Sequence, residues 1–228
     1  RSVAGAPDHG ARRHCGAHLA DPGAGALALT CRGLRWSAGI AGAAFVALAV
    51  WVSADPGPLP GERRVLVELH DLGGTTHEDA LVRLADLTDP LPLGVVAVAV
   101  GLVLAGLRRW RDLAYGTVIV GVVWAVNPLL KALVGRSRPE LWQPPMELSE
   151  HTFPSGHAAN AAALAAAVIL IARATRLRIV AVAGGVTLVV VVGLGQLVLG
   201  VHYPSDIVAG WLWAFAWATV VWSYRVGD

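Results

Sequence analysis

Charge is what this sequence has least of. Only 15% of its 228 residues are Asp, Glu, Lys or Arg, while 55% are hydrophobic; an ordinary soluble domain carries about 25% charged residues. That shortage, with a mean hydropathy of +0.58, argues against a soluble domain and points to a membrane protein. The formal net charge of +2 leaves no strongly basic surface, so nucleic acid is not an expected partner. Cysteine is scarce as well. Cys15 and Cys31 both precede the first apolar run, too few and too peripheral for a disulfide framework or a metal cluster. Lysine is almost missing: of 18 basic residues, one is lysine, Lys131. A bias toward Arg, Ala, Val and Gly accounts for the rarity of lysine but not for where the single one stands.

What the chain does have is long uncharged runs. A membrane-crossing helix needs roughly 20 mostly apolar residues. Six runs reach or approach that length: 36–54, 91–107, 113–130, 157–172, 179–201 and 207–222. The fourth and sixth reach it only by borrowing polar residues at one end. Trp36, Trp51, Trp110, Trp211, Trp213 and Trp222 stand near run ends, as an interfacial aromatic belt requires. The expected fold is therefore all-α, a bundle of six membrane-crossing helices over 34–225. Residues 1–33, rich in Gly, Ala, Pro, Arg and His without a period, are expected to form a disordered tail.

The short loops set an expected orientation. "RRWRD" at 108–112 and "RATRLR" at 173–178 carry the Arg excess, on the side shared with both termini. The positive-inside rule makes that side cytoplasmic. Loop 55–90 has three Arg against eight Asp and Glu and falls outside. Within it, Thr75 and Glu78 have capping-box spacing, followed by Leu81, Leu84 and Leu87, which predicts a short amphipathic helix on the outer surface. His70 and His77 read as solvated loop histidines.

Polar residues gather at the outer ends of four runs. Lys131 closes the third and leads into "ALVGRSRP", with Arg136 and Arg138. "PSGH", Pro154 to His157, opens the fourth. Gln196 lies near the end of the fifth, and "HYPSD", His202 to Asp206, opens the sixth. Singly, each has a plain explanation: a snorkelling lysine, a serine N-cap, a structural histidine. Together, cations, helix N-termini and two histidines at one depth make an anion site. Lys131 and Arg138 offer charge-assisted bonds. His202, with Asp206 four residues on, has the layout of a nucleophile or base held by a carboxylate, and His157 is left to act as an acid. Phosphoryl transfer suits such a set.

These motifs resemble the signature of the type 2 phosphatidic acid phosphatase superfamily, which includes membrane lipid phosphatases and the vanadium haloperoxidases. Its first motif, Lys, six residues, Arg-Pro, is matched by Lys131, Arg138 and Pro139; its second, Pro-Ser-Gly-His, by Pro154 to His157. Its third, Ser-Arg, five residues, His, three residues, Asp, keeps His202 and Asp206 but has Gly195 and Gln196 in place of Ser-Arg. The resemblance implies a phosphohydrolase that uses no metal or other cofactor and acts on a lipid phosphate at the outer membrane face. It implies His202 as nucleophile, Asp206 as its orienting partner and His157 as acid and then base. Lys131, Arg138, Ser155, the Gly156 amide and, in the altered position, Gln196 would hold the phosphoryl oxygens.

Gln196 brings no positive charge where the family has one. A charge-assisted bond is worth roughly 1.5–3 kcal/mol, about one to two decades in rate if it acts in the transition state. Three outcomes stay open: reduced activity, replacement of the charge by Arg136, or a substrate that needs less of it. The expected substrate is a polyprenyl diphosphate, with phosphatidic acid, phosphatidylglycerophosphate or a lipid-linked sugar phosphate as alternatives. Two rivals are a lipid-phosphate binder without turnover and a six-span transporter. The transporter predicts ionisable groups near mid-span, whereas only the uncharged Asn127, Asn160 and Gln196 lie deeper here.

Overall fold

The computed structural model describes residues 22–143, 149–173 and 175–227, and all regular structure among them is helical. Seven helices follow in order: α1 (Pro22–Ala54), α2 (Glu62–Leu87), α3 (Pro90–Gly106), α4 (Trp110–Val134), α5 (Gly156–Ala172), α6 (Arg178–Val198) and α7 (Pro204–Gly227). Punctuation in the sequence explains most of their ends. Pro90 opens α3 behind Asp89 in extended conformation, Gly135 closes α4 in the left-handed region, and Ser155 caps α5.

Each of the six expected apolar runs is a helix. Among the described residues four segments are long and apolar enough to cross a membrane: Arg32–Ala54, Trp110–Val134, Arg178–Val198 and Pro204–Arg225. The helices α3 and α5 have 17 residues each, about 25 Å at 1.5 Å per residue, short of a hydrocarbon core about 30 Å thick. His77–Leu87 and Leu91–Gly106 pass the same test only as one unit bent by 50°.

Two sequence expectations need correction. The surface helix is not short: α2 runs unbroken for 26 residues from Glu62, through Gly73 and Gly74 and past Thr75, which is therefore not an N-cap. Tertiary contacts override those glycines, because Leu66 and Ala85 are buried along its length and α2 packs on α6. At the other end of the chain, α1 begins at Pro22, so 22–33 extend a helix where a tail was expected; residues 1–21 lie outside the described residues.

The bundle is organised around α5, which packs on α4, α6 and α7. Its buried face is almost all alanine: Ala158, Ala159, Ala161, Ala163, Ala165 and Ala167. Small side chains let helix axes approach closely, the main source of packing energy where lipid removes the hydrophobic drive. At Gly210 of α7 backbone meets backbone: a Cβ there would stand 2.7 Å from the Ser155 carbonyl oxygen and 3.1 Å from the Ala159 nitrogen, both backbone atoms. This contact sets the second turn of α7 against the first turn of α5.

Candidate active site

Between the start of α5 and the start of α7 the backbones are joined directly: the Ser155 N–H donates to the Asp206 carbonyl, 3.0 Å. Ser155 is buried, and its hydroxyl accepts the Ala158 N–H at 3.4 Å. It acts as the α5 cap. The helix it caps opens with Gly156 and His157, whose positions face Lys131 and Arg138 across a cleft.

That cleft, of about 510 Å³, is lined in part by Lys131, Arg138, Gly156, His157 and His202. Three stretches of chain, at 131–138, 156–157 and 202, thus meet in one place. The Lys131 ammonium donates to Ser149 Oγ at 3.0 Å. Arg138 donates through Nε to the Ser149 carbonyl, 2.6 Å, through one terminal nitrogen to the Val201 carbonyl, 2.7 Å, and through the other to Ser149 Oγ, 3.0 Å. Ser149 therefore gathers both cations on one side of the cleft. Gly156 is needed for room as well as for its amide, since a Cβ there would lie 3.2 Å from the Asn127 side-chain nitrogen.

His202 sits in the turn between α6 and α7, which is built around Gly200. Gly200 is in the left-handed region at φ +67, and a Cβ on it would run into the Trp142 ring. Trp142 donates its indole N–H to the Leu199 carbonyl at 3.0 Å and stacks on His70 at 4.0 Å between ring centres. His70, which the sequence presented as solvated, is thus a half-buried support of this turn, with Nδ1 3.1 Å from the Val198 carbonyl; His77 is exposed. The His202 ring is buried, with Nδ1 3.5 Å from Asp206 Oδ2. That spacing is an ion-pair distance, longer than a formed hydrogen bond, and Nδ1 has no hydrogen-bond partner. Burial pushes the imidazole down to about 4, against the pull of Asp206 toward the protonated form. His202 is therefore neutral near pH 7.

Asp206 does not line the cleft. Its Oδ1 accepts from Arg136 at 2.6 Å and its Oδ2 from the Tyr203 N–H at 2.8 Å. Arg136, one of the options for replacing the missing charge, is fully buried and turned toward Asp206 and Glu62, so it does not supply charge to the cleft. Gln196 is also buried and outside the lining residues, with Oε1 unpartnered.

Sequence reading passed over four participants. Asp89 lines the cleft, and its Oδ1 accepts from His157 Nε2 at 2.9 Å; its place just before Pro90 was the available signal. Asn127 lines the cleft with its Oδ1 buried and unpartnered. Ser149 and Glu62 carry no local signal at all, being one serine and one of many acids in loops. Among the described residues no group of three or more His, Cys, Asp and Glu is placed to hold a metal ion.

The model of the PAP2 superfamily matches residues 95–227. Decaprenylphosphoryl-5-phosphoribose phosphatase from Mycobacterium tuberculosis, in strains CDC 1551 / Oshkosh and ATCC 25618 / H37Rv, is 36% identical over 108 residues, 45% of this chain and 55% of the relative. The chain thus spans about half the length of the curated relatives it matches. The crystal structure of a transmembrane PAP2 type phosphatidylglycerolphosphate phosphatase from Bacillus subtilis superposes with a TM-score of 0.71 at 18% identity, covering 83% of this chain and 96% of that one.

Proposed function

This chain belongs to the PAP2 superfamily, and on that premise we propose that it is an integral-membrane phosphatase that removes a phosphoryl group from a lipid. The observation that carries the reading is the single cleft lined by both imidazoles and both cations, His157, His202, Lys131 and Arg138. His202 Nε2 attacks phosphorus, forming an N–P bond as the bond from phosphorus to the leaving oxygen breaks. His157 gives that oxygen a proton. In the second step His157 takes a proton from water, whose oxygen displaces His202 and releases inorganic phosphate. Lys131, Arg138 and the Gly156 amide at the α5 N-terminus hold the phosphoryl oxygens. Asp206 orients the His202 ring and balances its positive charge in the intermediate. Ser155 serves this set by capping α5.

The membrane arrangement we propose has six crossings, α1 and α3 to α7, with α2 at the outer face. The α3 and α5 helices complete their crossings through polar residues at their outer ends. The cleft then opens outward and both termini are cytoplasmic, in accord with the Arg-rich loops 108–112 and 173–178. A substrate with its head in water and its tail in lipid suits that location. A polyprenyl-borne phosphate, whether a diphosphate or a phosphosugar head, is our first choice, supported by the decaprenylphosphoryl-5-phosphoribose phosphatase activity for which the Mycobacterium tuberculosis relatives are named.

The test is phosphate release by purified protein from a panel of polyprenyl diphosphate, lipid-linked sugar phosphate, phosphatidic acid and phosphatidylglycerophosphate, with and without EDTA. We expect turnover unaffected by chelator and abolished by His202→Ala. Hydrolysis that disappears with EDTA, or that survives His202→Ala, overturns the mechanism.

A further inference from the structure

Arg136, Glu62 and Asp206 form a chain of buried charges behind the nucleophile, and neither Arg136 nor Glu62 touches the cleft. Every nitrogen of Arg136 is engaged: Nε with the Pro56 carbonyl at 3.3 Å, one terminal nitrogen with Ser205 Oγ at 2.7 Å and Asp206 Oδ1 at 2.6 Å, the other with the Gly57 carbonyl at 2.8 Å and Glu62 Oε2 at 2.9 Å. Its guanidinium lies 4.2 Å over the Tyr203 ring. Glu62 Oε1 accepts the Ser205 N–H at 2.8 Å and the Ser205 hydroxyl at 2.6 Å; its Oε2 also accepts the Leu59 N–H at 2.7 Å. One surface-helix residue thus clasps the start of α7 and the arginine that holds Asp206.

Such a cluster is costly to bury, since its charges lose their water. A purely structural clasp between α2 and α7 could be made of apolar side chains. What charge adds is control of one carboxylate. With Oδ1 fixed by Arg136, Asp206 presents Oδ2 toward His202 Nδ1, 3.5 Å away, a gap that can close when the ring becomes cationic. An arginine shared between two carboxylates pulls less on each. Remove the Glu62 charge and Arg136 is balanced by Asp206 alone, drawing that carboxylate away from His202.

We propose that Glu62 is a positioning residue for phosphoryl transfer, acting through Arg136 and Asp206 to aim and hold the His202 ring. The inference rests on the proposed phosphatase reading, with His202 as nucleophile. It makes α2 part of the catalytic apparatus even though its first turn lies behind the cleft.

The experiment uses the full-length protein in detergent and the best substrate of the lipid-phosphate panel, with Glu62→Gln, Glu62→Asp and Arg136→Lys compared with wild type and His202→Ala. Glu62→Gln should lower kcat about tenfold with KM within twofold, and should slow formation of the acid-labile phosphoprotein in a single turnover by the same factor. Glu62→Asp should recover most of kcat, and Arg136→Lys, which loses the fork, should lose about a hundredfold. If Glu62→Gln is not recovered folded, Ser205→Ala carries the test: it keeps both charges and removes one bond of Glu62 and one of Arg136, so kcat should fall about threefold at constant KM. A kcat equal to wild type in these variants, a change in KM alone, or a loss matching only the unfolded fraction overturns the proposal. If wild-type protein releases no phosphate from any lipid, the function reading falls and this inference with it. Wild-type turnover that vanishes in His202→Ala but persists undiminished in Glu62→Gln sinks the inference alone.

Discussion

The two histidines of the cleft differ in their surroundings, and each difference has a measurable consequence. His202 is enclosed, and burial holds its imidazole at about 4, below the ordinary value of about 6.5. Between those values the unfolded chain binds a proton that the folded chain refuses. Stability therefore rises with pH through that window and is lost on acidification from pH 6.5 toward 4. Thermal unfolding in detergent should give a lower Tm at pH 4.5 than at pH 7, and His202→Gln should narrow the difference. His157 has instead a half-exposed carboxylate at Nε2, Asp89 at 2.9 Å. That bond orients the ring, yet it places a negative charge in the cleft proposed to bind phosphate. Asp89→Asn should lower kcat about tenfold, a barrier change of about 1.4 kcal/mol, and lower KM as well, read from steady-state phosphate release. Gln196 is the third residue of interest. Its Oε1 is buried without a partner, and Gln196→Arg, which restores the charge of the family motif, should raise phosphate release severalfold; a clear drop would mean that the site is built around Gln.

Among the helices, α5 and α7 decide whether the site exists, because their first turns carry His157 and Asp206 and are joined by one backbone hydrogen bond. Their approach depends on Gly210. In Gly210→Ala the added methyl meets backbone atoms, which cannot rotate aside as a side chain would, so the helices must separate. Overpacking of this kind costs about 1–3 kcal/mol. We expect a lower Tm and a loss of phosphate release larger than the stability loss explains, since separating the helices also displaces His202 from His157. The α2 helix shows the opposite balance. Its glycines at 73 and 74 and its polar stretch argue for a break, but buried Leu66 and Ala85 hold it together against α6.

At the scale of the whole molecule, the proposed orientation places loop 55–61 outside and the 108–112 and 173–178 loops within. Reporter fusions test it. Green fluorescent protein joined after Asp228 should fluoresce, and alkaline phosphatase inserted at 57–60 should be active; the reverse pattern would invert the molecule and turn the cleft to the cytoplasm. Length alone does not settle the crossings, since α3 and α5 are each 17 residues.

How much was legible beforehand follows from the range of the forces involved. Helices at six apolar runs, the α5 and α7 starts and the cluster of Lys131, Arg138, His157 and His202 are readable because apolar length, capping residues and short motif spacings are local properties of the chain. The sequence determined by itself that these residues are present and that they stand at helix ends. Only the tertiary structure decided that Arg136 faces Asp206 and Glu62, that Asp89 meets His157 and that Gln196 is buried outside the cleft. Those are contacts between segments far apart in the chain, created when small residues such as Gly210 let the helices pack, and nothing in a local pattern encodes which way a buried side chain will turn.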